Sequence, residues 1–254
     1  MRVALKFAYV GRNFYGYARQ PNLRTVEGEI IKILTNLELI TDTKTSEFRS
    51  ASRTDKGVSS LGNVIAFNVD AFKKNILDKL NENNKEILFY GYKKVDDDFF
   101  PRYAKTRHYS YYLINKDLDI KKIVDTLSLF VGEHDFSNFA RVEPDKNPIR
   151  TIDNITVEEF ENFLIIDFFA PNFLWNQIRR IISAAEKVEL GKISNEDIEN
   201  ALEHPEEKVD FGLASANPLI LTNINFGFEF DITSSKKEKL EKMKNKIISS
   251  IESD

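Results

Sequence analysis

The chain has no cysteine, only three histidines, a single tryptophan, no long apolar run and no excess of positive charge. Each absence removes a class of chemistry. Without cysteine there are no disulfides, no thiolate nucleophile and no cysteine metal site. His108, His134 and His204 are scattered and never stand at the i, i+4 spacing of a helical ligand pair, so a histidine zinc site is not signalled. No stretch approaches the roughly 18 apolar residues that a membrane-spanning helix needs. The N-terminus, Met1-Arg2-Val3-Ala4-Leu5-Lys6, carries charge inside its apolar run and has no cleavage site. A soluble, cytoplasmic protein with no membrane association is the expectation. A formal net charge of -4 excludes coating of nucleic acid by bulk positive charge.

Against that acidic background the arginines are unevenly placed. Apart from Arg2 they stand at 12, 19, 24, 49, 53, 102, 107, 141, 150, 179 and 180, mostly in or beside predicted loops and element ends, while lysine dominates elsewhere. Arginine suits bidentate contact with phosphate, so this pattern fits an arginine-lined cleft on an acidic body. It fits dispersed solubility charge equally well.

At 254 residues the chain suits one large or two small domains and buries a core without staples. Residues 2–10 alternate, with Val3, Leu5, Phe7 and Tyr9 on one face, which predicts a strand. An arginine- and aromatic-rich loop follows to Arg24. Thr25 then opens a helix with Val26, Ile30, Ile31, Leu34 and Leu37 on one stripe. A short strand near 47–49, a strand over 63–69, a helix over 71–82 (Phe72, Ile76, Leu77, Leu80) and a strand over 87–95 complete a strand-helix-strand-strand-helix-strand unit, the split βαβ or ferredoxin-like order. After Pro101 the order repeats. It runs through a strand over 107–115, a helix over 118–130, a loop over 132–150, a hairpin of strands over 151–158 and 162–169, a long helix from 171 or 172 to 190, a short capped helix from Ser194, and a last strand over 219–230. Residues 236–250 form an amphipathic helix with a lysine-rich outer face read as solvated. The fold expected is α+β: two ferredoxin-like halves, 1–104 and 105–232, joined edge to edge into one mostly antiparallel sheet with helices on one face and a cleft on the other. Residues 233–254 form a C-terminal helix.

The segment with most chemical content is Arg49-Ser50-Ala51-Ser52-Arg53-Thr54-Asp55-Lys56-Gly57-Val58. Asp55 lies between Arg53 and Lys56 on a glycine-permitted turn. It has no second carboxylate at short spacing, so two-carboxylate glycosidase chemistry is not signalled, and no metal-loop pattern surrounds it. One ionised carboxylate remains, available as nucleophile or base, or else a solvated turn of no chemical consequence. Arg107-His108-Tyr109-Ser110-Tyr111-Tyr112 puts Tyr109 and Tyr111 on one strand face, either as aromatic core or as a ring on which a base stacks. Phe173-Leu174-Trp175-Asn176-Gln177-Ile178-Arg179-Arg180 puts Arg179 at the edge of an apolar helical stripe, with Arg180 read as surface charge.

Taken together, Arg53-Thr54-Asp55 with Gly57-Val58, Tyr15-Gly16-Tyr17-Ala18-Arg19-Gln20, Asp98-Phe99 to Arg102, Arg107 with Tyr109 and Tyr111, Gly132-Glu133-His134-Asp135-Phe136 and Phe173-Leu174 to Arg179 resemble the TruA family of tRNA pseudouridine synthases. The blocks occur in the family's order from about residue 5 to about 226. The resemblance implies isomerisation of uridine to pseudouridine in the anticodon stem-loop of tRNA, at positions 38–40, by an isomerase that needs no cofactor. Asp55 stands where the family has its catalytic aspartate, acting on a flipped-out nucleotide either as nucleophile or by taking a ribose proton. By the same resemblance Arg53, Tyr109, Arg179 and Leu219 bind the substrate nucleotide, Arg19, Arg102 and Arg107 contact RNA, and the enzyme is a homodimer embracing tRNA. The chain departs from the family pattern at Ser52, where glycine is usual, at Lys56, where alanine is usual, and at Ser59-Ser60, near which a histidine is usual. The alternative reading is a non-catalytic RNA-binding protein of paired RRM-like halves. A hydrolase using Asp55 would want a second carboxylate or metal ligands.

Overall fold

A computed structural model describes residues 1–71, 75–115 and 117–252. The chain divides into two compact units, Met1–Lys105 with the segment from Ile220 onward, and Thr106–Leu219. The class is α+β, and the strands pair mostly antiparallel.

The first unit contains β1 (Arg2–Tyr9), α1 (Val26–Asn36), β2 (Arg49–Ser50), β3 (Ser59–Asn68), α2 (Ile76–Glu82) and β4 (Ile87–Val95). β1 lies between β3 and β4, and β2 pairs with the far side of β3, all antiparallel. This is the strand order of the split βαβ arrangement. The alternation read in β1 is the cause: Val3, Leu5, Phe7 and Tyr9 pack with Ile65, Phe67, Ile87 and Phe89 against Val26, Ile30, Ile33 and Leu34 of α1 and Ile76, Leu77 and Leu80 of α2. Each such fully buried side chain contributes about 1.5–3 kcal/mol over its exposed state. α1 starts at Thr25, whose hydroxyl accepts from Gly28 N at 3.3 Å. The helix expected over 71–82 is observed over Ile76–Glu82; Phe72 lies outside the described residues.

The second unit contains β5 (Thr106–Ile114), α3 (Ile120–Ser128), β6 (Gly132–Asp135), β7 (Ile149–Ile152), β8 (Asn154–Phe160), β9 (Phe163–Ala170), α4 (Gln177–Glu189) and α5 (Asn195–Glu203). β9 lies between β5 and β8, both antiparallel to it, and Glu161, in the left-handed region at φ 53°, turns the β8–β9 hairpin. The segment expected to be a loop over 132–150 begins and ends in strands, since β6 and β7 pair as a separate two-stranded sheet. The long helix is shorter than expected. It begins at Gln177, not at 171 or 172, because Asn176 is left-handed (φ 64°) and Trp175 is held extended, its carbonyl accepting from Arg141 N at 2.7 Å. Phe173, Leu174 and Trp175 therefore lie on the approach to the helix and not on its stripe. α5 carries the expected capping box between Ser194 and Asp197.

β10 (Leu219–Asn225), expected in the second half, pairs in parallel with β3 of the first unit and stops five residues earlier than expected. Asn225 closes that end by accepting from Gly227 N at 2.7 Å. Asp231 then exchanges two backbone hydrogen bonds with Tyr92 on β4, which covers part of that edge strand. α6 (Ser234–Glu252) packs along β1, β3 and β4 with Ile247 and Ile251 buried. Lys236 is no part of a solvated face: it is 5% exposed and its ammonium pairs with Asp78 of α2. None of the helices among the described residues is long and apolar enough to cross a membrane.

Candidate active site

Asp55 sits on the loop between β2 and β3, half-buried, and the backbone around it is fastened on every side. On the preceding side, Ala51 N donates to Val64 O (2.8 Å) and the buried Asn63 side chain donates to Ser52 O (3.0 Å). Thr54 is anchored twice. Its hydroxyl meets the buried Tyr9 hydroxyl at 2.8 Å, and its carbonyl accepts from Tyr17 N at 3.0 Å. Beyond the aspartate, Val58 N closes a turn onto Asp55 O at 3.2 Å, with Gly57 at φ 91°. That conformation favours glycine, because a side chain there would crowd the backbone.

The loop after β1 is the other wall. Gly11 N donates to Ser59 Oγ at 3.0 Å, and a Cβ on Gly11 would lie 2.2 Å from Val58 O. Gly16, at φ 92°, backs onto Thr54 and Lys56, and the Lys56 ammonium sits 4.6 Å from the Tyr15 ring centroid. The departures from the family pattern are thereby explained. Ser52 is not in the left-handed region, so its position does not require glycine. Lys56 is exposed and rests on Tyr15. Ser59 holds Gly11, and Ser60 accepts from Gly62 N and Asn63 N while donating to Leu221 O.

Beside this loop, Arg49, Arg53 and Arg102 line a cavity of about 310 Å³ together with Glu27, Phe48, Ser50 and Phe100. Partial burial, followed by the positive charge of Arg53 and Arg49 and offset by Glu27, holds the Arg102 guanidinium below its ordinary value. Arg19 reaches the same place through Glu27, which accepts from its backbone N–H at 3.1 Å and lies 3.6 Å from its Nε. Sequence reasoning named Arg19, Arg53 and Arg102 but missed Arg49 and Glu27, which alone are indistinguishable from surface charge.

In the second unit Tyr109 is buried, its ring edge-on to Phe173 with centroids 5.4 Å apart. Arg179 donates from Nε to Ala214 O (2.8 Å) and approaches Asn176 Oδ1 at 3.4 Å. It lies close enough to Tyr111 to ease that phenol's ionisation, though burial and then Glu186 push the phenol up overall. Arg180, read as surface charge, is half-buried and paired with Asp210 at 2.8 Å. Leu219 is buried at the start of β10. Arg107, expected at RNA, is buried with its guanidinium donating to Pro171 O. His108, Ser110 and Asp167 also meet, but the Ser110 hydroxyl donates to Asp167 and is 3.4 Å from His108, which is not the relay of a serine hydrolase. The described residues hold no group of three or more histidine or acidic side chains able to hold a metal ion.

Comparison with known proteins gives the family of the chain. The family model for tRNA pseudouridine synthase matches residues 127–227. The chain is 43% identical over 246 residues to tRNA pseudouridine synthase A of Thermococcus sibiricus, covering 95% of this chain and 91% of that protein. It is 42% identical over 245 residues to the protein of the same name from Pyrococcus horikoshii (95% and 92%), and 38% identical over 248 residues to that of Methanosphaera stadtmanae (94% and 89%). The chain belongs to the TruA family of tRNA pseudouridine synthases.

Proposed function

We propose that this protein isomerises uridine to pseudouridine in the anticodon stem-loop of tRNA, with Asp55 as the acid that carries the chemistry. The observation that carries this reading is the setting of Asp55, a single half-buried carboxylate on a loop whose flanking residues are hydrogen-bonded to three other segments. The reaction breaks the N1–C1′ bond of uridine and joins C5 to C1′. No atom is gained or lost and no redox partner is needed, so one well-positioned acid suffices. Asp55 acts either by attack on the nucleotide or by taking a ribose proton, and both demand that the carboxylate be held against a flipped-out base.

The rigid loop supplies that positioning. Thr54, pinned by Tyr9 and Tyr17, fixes the backbone at the residue before the acid, while Gly57 turns the chain away behind it. Arg53 steadies the extruded nucleotide, Tyr109 offers a ring to the uracil, and Arg179 and Leu219 bind the substrate nucleotide. Arg19 and Arg102 contact the RNA backbone. Arg107, tied to Pro171, serves by holding the backbone that leads to Phe173. The reading includes a cytoplasmic homodimer acting on one tRNA. Undermodified tRNA incubated with the pure protein, treated with a carbodiimide that leaves an adduct on pseudouridine, and mapped by reverse-transcription stops tests it. Modification confined to positions 38–40 is expected; an unmodified product, or modification only outside the anticodon arm, overturns it.

A further inference from the structure

The cavity lined by Arg49, Arg53 and Arg102 brings three guanidiniums together around one carboxylate within the first unit. That one carboxylate leaves the cavity with a net positive charge. Glu27 also accepts from Arg19 N at 3.1 Å and from Ser50 Oγ at 3.4 Å. Burial first, then Arg53 and Arg49, hold the Arg102 guanidinium below its ordinary value, with Glu27 acting against them, so like charges share one cavity with a single carboxylate. An anion entering it meets three positive charges against one negative. The rim is aromatic: Phe100 lines the cavity, and its ring lies 5.1 Å from that of Tyr103, which is 83% exposed. An exposed ring beside a basic pocket is the pairing that binds a phosphate and stacks the base next to it.

We propose that this cavity is a nucleotide subsite in which Arg49, Arg53 and Arg102 grip one backbone phosphate of the RNA while Tyr103 stacks on an adjoining unpaired base. Glu27 acts as its counterweight, keeping the guanidiniums apart in the RNA-free protein and limiting how tightly the phosphate is held. The proposal rests on the reading of the protein as a tRNA-modifying enzyme but concerns binding, not the chemistry at Asp55.

The test uses the full-length protein and an undermodified tRNA transcript, with affinity measured over a range of salt concentrations. Arg49→Gln should weaken binding several-fold and lower the slope of log affinity against log salt by about one, the signature of one lost phosphate contact. Glu27→Gln should shift affinity the other way. Tyr103→Ala should weaken binding with the slope unchanged, since stacking releases no counterion. Lys242→Gln removes an equal charge from the exposed face of α6 and is the control. Equal losses from Arg49→Gln and Lys242→Gln would overturn the proposal, as would a Glu27→Gln protein that binds no tighter than wild type. Thermal melts of each variant separate misfolding from lost contact, and a variant with an altered melt is replaced by Arg49→Lys, which keeps the charge but not the fork and should show an intermediate loss. Pseudouridine formation by the wild-type protein is scored separately: if it fails while the slopes behave as expected, the enzymatic reading falls and the subsite stands.

Discussion

At the scale of single residues, the loop around Asp55 separates positions that need a particular residue from positions that tolerate one. Gly57, at φ 91°, needs glycine, and Gly57→Ala should cost about 1–2 kcal/mol in urea unfolding and lower activity with it. Ser52 does not. Ser52→Gly should only loosen the unfolded chain, costing about 0.5–1 kcal/mol with pseudouridine formation retained. A second residue-scale prediction comes from Glu186 on α4, whose carboxyl is raised above the usual glutamate range by burial. An acid raised in the fold favours folding when protonated, so its contribution is full below its unfolded value and is lost as pH rises through the folded one. Glu186→Gln should therefore raise the melting temperature at neutral pH, and the gain should vanish in acid, where both side chains are neutral. Asp55 stands out as a candidate in the sequence because of its company, Arg53, Thr54 and Gly57. The anchoring role of Thr54 does not, because its partner Tyr9 is 45 residues away and reads as core.

At the scale of elements, strands with clean alternation were legible and short or capped ones were not. β1 follows from Val3, Leu5, Phe7 and Tyr9, since a period of two leaves only one face to bury. β6 and β7 are four residues each, too short for a period to show. The start of α4 was misplaced because Phe173, Leu174 and Ile178 have helical spacing, and spacing does not reveal that Asn176 turns left-handed and that Trp175 pairs with Arg141. The arginine pocket was only partly visible because its members come from α1, from the segment about β2 and from the stretch after β4. The joint between the loop after β1 and the loop carrying Asp55 is likewise invisible in sequence. It has a sharp consequence. Gly11→Ala would place a Cβ 2.2 Å from a backbone oxygen of Val58, so the two loops must part. A loss of about 1–3 kcal/mol in denaturant unfolding is expected, together with a fall in turnover larger than Ser52→Gly produces. A Gly11→Ala protein with wild-type stability and turnover would show that the contact does not position the acid.

At the scale of the whole molecule, the repeated strand-helix-strand-strand order gave the α+β class from sequence, while the chain's last segment departed from its expected place. β10 and α6 follow the second unit in sequence but build the first. β10 pairs with β3, and α6 lies along β1, β3 and β4. A helix with a lysine-rich face reads as solvated, and nothing in its pattern says that Lys236 is the buried member that pairs with Asp78. Ending the chain at Ile232 should lower the melting temperature sharply, since burial of Ile247 and Ile251 alone contributes about 1.5–3 kcal/mol each. Lys242→Ala, on the exposed face, should change stability by no more than about 0.5 kcal/mol.

The proposed function turns on one carboxylate on a pinned loop performing the isomerisation in tRNA. It is tested most directly by quantifying pseudouridine by mass spectrometry in undermodified tRNA treated with wild-type protein or with Asp55→Ala, alongside tRNA binding by each. Pseudouridine is expected with the wild-type protein, none above background with Asp55→Ala, and tRNA affinity for the variant within a few-fold of wild type. Substantial pseudouridine from the Asp55→Ala protein would contradict it.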